Sequence, residues 1–331
     1  MNLRRLGRSG PTVSELGLGC LGMSDFYGPA DTAESVATIH AALDAGVTLL
    51  DSGDYYGSGR NELLLRDALY GRRRDQALVS IKFGALRDPS GAWLGFDARP
   101  AAVKNFLAHS LHRLGVSYID IYRPGRLDPS VPIEETIGAI GDMVKAGYVR
   151  YVGLSEVGAA TLRRAHATHP ISDLQIEYSL ISRGIEREIL PAARELGVGI
   201  TAYGVLSRGL LSGHWSATRE LGPNDIRRHM PRFQDDNVAR NLEIVEALRG
   251  VAEAKGATVA QAAIAWVHSR GDDIVPLVGA RTRARLAEAL GALDLTLTPD
   301  DLAEIERAVP AGGAAGTRYD ERQMRMLDSE R

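Results

Sequence analysis

One phrase recurs along this chain and limits its fold more than any other feature. A helical stretch ends at glycine, and a short apolar run follows at once. Leu114 and Gly115 lead into residues 118–122; Lys145, Ala146 and Gly147 lead into 148–153; Glu195, Leu196 and Gly197 lead into 198–203. Helix, glycine stop and short apolar strand make up the αβ unit of a parallel sheet. Further runs at 16–19, 47–51, 77–83, 173–176 and 274–277 bring the number to about eight. Eight such units, each followed by a helix, favour a closed (β/α)8 TIM barrel over an open sheet.

The rest of the chain is arranged around that expectation. Residues 2–14 read as an N-terminal β-hairpin turning at Arg8-Ser9-Gly10-Pro11. Val36, Ile39 and Leu43 share one helix face, and Gly46 stops that helix. After Pro100, Val103, Phe106, Leu107, Leu111 and Leu114 line one side of another helix. Residues 85–98 read as a polar loop. The long irregular stretch 207–236, rich in Gly, Arg, Ser and Pro, is the natural cover for a barrel mouth. Extra helices are expected toward the C-terminus, and the tail after Pro310 is expected as a surface extension wrapping the mouth. With no linker or low-complexity segment, residues 1–331 read as one domain.

In a β/α barrel, chemistry sits at the C-terminal ends of the strands. The run 47–50 ends in Asp51 and breaks into Ser52-Gly53-Asp54-Tyr55-Tyr56-Gly57; the run 77–81 delivers Lys82 in the same way. Asp51, Tyr56 and Lys82 are therefore expected to converge. A free phenol has a pKa near 10, a poor match to neutral pH. A neighbouring ammonium lowers it, and a buried ammonium needs a carboxylate. Taken singly, these residues have plainer readings: a strand-end cap, a packing ring, a surface charge. Gly17-Leu18-Gly19-Cys20-Leu21-Gly22 matches G-x-G-x-x-G, but loop rather than helix follows it, against a Rossmann fingerprint.

Composition removes other classes. A formal charge of −3 gives no basic excess for nucleic acid and no charged tail for a membrane surface. Arg72-Arg73-Arg74 precedes a strand and reads as a solvated loop on the face away from the site. The single cysteine, Cys20, forms no intrachain disulfide and fits a cytosolic, cytoplasmic setting. No apolar leader follows Met1, and no run approaches a membrane span. No His/Cys/Asp cluster has metal-ligand spacing, so no metal is expected.

Several motifs in order carry a resemblance over nearly the full length. They are Gly17 to Ser24, Leu50-Asp51 with Tyr56-Gly57 and Asn61-Glu62, and Lys82. Tyr151 to Glu156, Leu174-Gln175 with Glu177-Tyr178-Ser179, and Arg208-Gly209-Leu210-Leu211 with Gly213 follow. Val275-Pro276 with Gly279, then Arg285-Leu286 with Glu288, complete the set. Together they resemble the aldo-keto reductases, most closely the bacterial and fungal branch that reduces aldehydes and ketones with NADPH. The resemblance implies a barrel that binds NADPH/NADP+ without a Rossmann domain and acts on a small-molecule carbonyl or alcohol. It implies Tyr56 as general acid, Lys82 favouring the tyrosinate and Asp51 paired with Lys82. Gly22, Met23 and Asp51 would lie near the cofactor. Ser155 and Gln175 would hold the nicotinamide carboxamide, and Tyr203 would stack on its ring. Leu206 and Arg208 would lie on the pyrophosphate loop. Gly279, Arg281, Arg285 and Glu288 would meet the adenosine phosphate, where arginines at a helix start favour NADPH over NADH.

The chain departs from the family at one catalytic position. The pattern Tyr-x-Asp-x-Tyr-x-x-His-Arg-x-Asp-Pro aligns without a gap on Tyr118 to Pro129, and its histidine is Gly125. Three consequences stay open: a water, Arg123 or Arg126 as substitute donor; a pocket for a bulkier substrate such as a sugar or natural-product ketone; or a non-catalytic NADP(H)-binding sensor or regulatory subunit. His229, on the cover segment, is a candidate to reach inward. A further alternative is oxidation of a sugar or glycoside hydroxyl with NADP+.

Overall fold

The eight apolar runs become strands that close on themselves. A computed structural model describes residues 1–24 and 26–331, the side chains of Arg72 and Asp235 excepted. In chain order, β1 (Leu3–Arg5) and β2 (Thr12–Ser14) form the antiparallel hairpin. Then come β3 (Gly17–Gly19), β4 (Leu49–Gly53) and β5 (Leu78–Phe83). A second hairpin, β6 (Ala85–Arg87) and β7 (Trp93–Phe96), stands where the sequence read as loop. Next are β8 (Ile119–Pro124), β9 (Val149–Ser155), β10 (Ile171–Glu177), β11 (Gly199–Tyr203) and β12 (Ile274–Gly279). The barrel runs β3-β4-β5-β8-β9-β10-β11-β12 and closes β12 onto β3, in parallel throughout.

Helices α1 (Thr32–Asp44), α2 (Arg60–Ala68), α3 (Pro100–Leu114), α4 (Ile133–Lys145), α5 (Ala159–Thr168) and α6 (Ile189–Leu196) connect successive strands. Between β11 and β12 lie α7 (Asp235–Ala254) and α8 (Val259–His268). After β12 come α9 (Arg283–Leu290), α10 (Pro299–Ala308) and α11 (Glu321–Met324). Gly115 and Gly197 end α3 and α6 with φ of +66° and +71°, a conformation that costs a residue with a Cβ.

Burial on both faces explains why the strands read as continuous apolar runs. Outward residues such as Leu18, Leu50, Val79 and Ile81 pack under the helices. Inward residues form the barrel's own filling. At the bottom, Leu49, Ile121 and Val275 pack with Leu6 and Val13, so the N-terminal hairpin plugs that end. Toward the C-terminal ends the filling turns polar. Arg123 and Asp173, both with no solvent exposure, pair at 2.8 Å. Gly153 leaves them room: a Cβ there would lie 3.0 Å from both Arg123 Cζ and Asp173 Oδ1.

The basic cluster lies before β5, with Arg73 paired to Asp44 and Arg74 to Asp120; the Arg72 side chain is outside the described residues. Residues 207–236 wind through short turns and are pinned to the loop after β3, where Ile226 N donates to Phe26 O at 2.9 Å. The tail runs mostly at the surface across the mouth, with Arg318 and Leu327 its buried residues among those described. It drives Arg318 into the mouth, leaving it 7% exposed.

Candidate active site

Tight turns at the ends of β4 and β5 bring the expected triad together. Asp51 and Lys82 are each 3% exposed, and the Lys82 ammonium donates to Asp51 Oδ1. Asp51 Oδ2 accepts from Ser80 Oγ at 2.9 Å and Gln175 Nε2 at 2.7 Å. Tyr56 opens the turn after β4 and is 8% exposed. Asn61 anchors that turn by accepting from Ser52 Oγ at 2.5 Å and donating to Cys20 O and Ser24 Oγ at 2.8 Å. Glu62 holds Arg113 of α3.

The electrostatics correct one expectation. Lys82 Nζ lies 5.0 Å from the centroid of the Tyr56 ring, a cation–π contact and not a hydrogen bond to the hydroxyl. Burial raises the Tyr56 phenol well above its ordinary value, and Tyr55 and Asp51 push it the same way. Burial also lowers the Lys82 ammonium, against the pull of Asp51. Desolvation thus outweighs the lowering expected from the lysine. In this geometry Tyr56 is a protonated phenol with an ammonium against its face.

Gly125 follows directly on β8, and the space beside it is filled. A Cβ built there would meet Tyr55 Oη at 3.0 Å. Of the donors proposed from sequence, Arg123 points into the barrel and is consumed by Asp173, Ser80 and Leu154 O. Arg126 faces the mouth, donating to Gly125 O at 2.7 Å and Tyr319 Oη at 3.3 Å. His229 is exposed and does not reach inward.

Most of the expected cofactor residues lie at or after the ends of β9 to β12, while Gly22 and Met23 follow β3 and Asp51 lies in β4. Ser155 ends β9 beside Gln175, and its buried Oγ has no hydrogen-bond partner among the described residues. Tyr203 Oη donates to Glu156 Oε1 at 2.7 Å and lies 3.1 Å from Tyr319 Oη. Leu206 packs on the core. Arg208 donates from Nη2 to Glu177 at 3.0 Å, while its buried Nη1 has no partner among the described residues. Gly279 ends β12, where a Cβ would meet Gly19 O at 4.0 Å, and Gly22 lies against Tyr27 and Arg281. Met23 is buried in the core at 4% exposure. Thr282 caps α9, Arg281 donates to Tyr27 O and Pro29 O, and Arg285 pairs with Glu288 at 2.9 Å.

Sequence reasoning missed the charged half of this mouth. Glu156 and Glu177 stand in the motifs without an expected role, yet both are buried and face arginines. Arg318 pairs with Glu156 at 2.7 Å and Glu177 at 3.4 Å, and Arg232 with Glu177 at 3.5 Å. Burial raises the Glu156 carboxyl, but Arg318 outweighs it and holds the group well below the usual range. Two acids at strand ends were the available signal; their partner in the tail left none. Asp54 was missed too. It is 7% exposed, its Oδ1 lacks a partner among the described residues, and burial beside Glu62 raises it to about 8.

Barrel and mouth together define the class: a TIM-barrel protein whose chemistry-bearing side chains gather at the C-terminal strand ends. Residues 15–310 match the Aldo/keto reductase family, and the chain belongs to it. The protein is accordingly an oxidoreductase, in a family that uses nicotinamide cofactors and small-molecule substrates. It is 41% identical over 316 residues to "Probable aldo-keto reductase 1" of Glycine max, covering 95% of this chain and 91% of that protein. Its fold is similar to the glycerol dehydrogenase AKR11B4 of Gluconobacter oxydans, at TM-score 0.84 and 26% identity, over 98% of this chain and 96% of that one. It is also similar to the thermostable aldo-keto reductase Tm1743, solved with the inhibitor epalrestat, at TM-score 0.74 and 26% identity, over 93% of this chain and 100% of that one. No helix among the described residues is long and apolar enough to cross a membrane.

Proposed function

We propose that this protein is an NADP(H)-dependent carbonyl reductase in which Tyr56 is the general acid. The observation that carries the reading is the buried Asp51–Lys82 pair set against the Tyr56 ring at the barrel mouth. The residues present fit a nicotinamide dinucleotide. Ser155 Oγ and Arg208 Nη1 are buried polar atoms with no partner among the described residues. When bound, the reduced dinucleotide supplies hydride to the carbonyl carbon. Tyr56 holds the substrate oxygen and gives it a proton. Burial keeps that proton on the phenol at neutral pH, ready for the reducing direction. Lys82 stabilises the phenolate as it forms, and Asp51, held by Ser80 and Gln175, keeps the ammonium in place. Arg281 and Arg285 at the start of α9 support NADPH over NADH.

Turnover of NADPH with a panel of aldehydes and ketones tests this reading. Tyr56→Phe is expected to lower kcat about 10³-fold; undiminished turnover rejects the assigned acid. The likeness to a glycerol dehydrogenase favours a second reading, oxidation of a polyol or sugar hydroxyl. NADP+ with glycerol, sugars and glycosides separates the two.

A further inference from the structure

We propose that the Tyr55 hydroxyl is the second hydrogen-bond donor to the substrate's carbonyl oxygen, standing where Gly125 has removed a side chain. The inference rests on the carbonyl-reductase reading above. Its basis is spatial. A Cβ on Gly125 would lie 3.0 Å from Tyr55 Oη, 3.1 Å from its Cε1 and 3.3 Å from Phe83 O. The polar end of Tyr55 therefore occupies the volume that a side chain at 125 would enter. The backbone of Gly125 is not left-handed, so what excludes a larger residue is the Tyr55 ring and the Phe83 carbonyl. Glycine at 125 and tyrosine at 55 form one exchange: the donor has moved from the end of β8 to the end of β4.

The ring is held in place. It meets Tyr56 edge-on, with centroids 5.0 Å apart at 87°, and Trp93 at 5.7 Å and 70°. Trp93 comes from the β6–β7 hairpin, which gives that unexpected element a purpose beside the site. Burial keeps the Tyr55 phenol protonated above its ordinary value, so it remains a donor wherever the enzyme works. The rival cations are engaged: Arg123 with Asp173, and Arg126 with Gly125 O and Tyr319. Tyr55 keeps its proton throughout; the transferred proton is that of Tyr56. A donor fixed beside the reacting oxygen gains strength as negative charge develops there, which puts its effect in kcat.

The experiment uses the full chain and whichever carbonyl it turns over best. Tyr55→Phe, which removes one oxygen and keeps the ring, should lower kcat about 10²-fold. NADPH affinity by fluorescence titration and Tm should stay close to wild type. Gly125→His alone should also lose activity, because its side chain meets Tyr55. Joining Gly125→His to Tyr55→Ala should recover about tenfold over Tyr55→Ala alone, a non-additive rescue that a packing role would not produce. Undiminished kcat in Tyr55→Phe, or absence of the rescue, overturns the assignment. If Tyr56→Phe also leaves turnover intact, the underlying reading of the reaction fails instead.

Discussion

On the β4–β5–β8 side of the mouth, the Asp51–Lys82 ion pair lies beside the Tyr56 ring, which meets Tyr55, and Tyr55 meets Trp93. On the β9–β10–β11 side, Glu156 and Glu177 are crossed by Arg208, Arg232 and Arg318. The first side is built from residues within their strands or two to three positions past them. The second is completed by a residue 162 positions from its partner. Rings around a buried ion pair raise the cost of moving charge there, which suits the proposed proton transfer, and the crossed ion pairs suit the proposed binding of a charged dinucleotide. On the proposed function, the two sides divide chemistry from cofactor handling.

The largest effect tests the chemical side. Lys82→Met strands the Asp51 carboxylate and removes the charge against Tyr56. We expect kcat to fall about 10³-fold and stability to fall about 3 kcal/mol, read by steady-state kinetics and denaturant unfolding. Adding Asp51→Asn should return much of the stability and none of the activity. Arg318→Ala probes the other side. It leaves Glu156 and Glu177 buried with less compensation, so unfolding should again lose about 3 kcal/mol. Here Glu156→Gln should restore stability, and kcat at saturating cofactor should move far less than in Lys82→Met. Equal losses of kcat in both variants would erase the division.

The same contrast explains what could be read from sequence. The barrel was legible because strands buried on both faces are short apolar runs, and glycine stops mark each helix end. Asp51 and Lys82 were legible because each terminates such a run. The β6–β7 hairpin was not: Trp93-Leu94-Gly95-Phe96 is brief, interrupted by glycine and mostly half-exposed, so it lacks strand periodicity. Arg318 was not, because nothing near it in the chain marks its distant carboxylates. Tyr55 was visible only as a rival to Tyr56; its relation to Gly125 is a contact between the ends of two strands.

Two carboxylates sharpen the comparison through pH. Arg318 holds Glu156 below its unfolded value, so its contribution is present above about pH 4.3 and fades as the pH falls. Asp54, on the aromatic side, is raised to about 8. Unfolded, it ionises near 3.9. Between those values the native state binds the extra proton, so stability declines as the pH rises and levels off above 8. Asp54→Asn should remove most of that decline in Tm measured from pH 5 to pH 8, conditions set by about these two values. An unchanged slope would show that Asp54 is ionised in the fold.

The smallest effect concerns which dinucleotide the charged side selects. Three arginines stand near the start of α9, and their partners differ. Arg283 is forked onto Glu34, with contacts of 2.8 and 3.2 Å, while Arg285 makes one bond to Glu288 at 2.9 Å and its side chain is 51% exposed. A guanidinium with one bond turns to a new anion more readily than one held by two. Arg285→Ala should therefore cut the preference for NADPH over NADH about tenfold, the worth of one charged hydrogen bond. Arg283→Ala should leave it unchanged. Competition titrations of the two dinucleotides read both, and the reverse order would move the phosphate contact from Arg285 to Arg283.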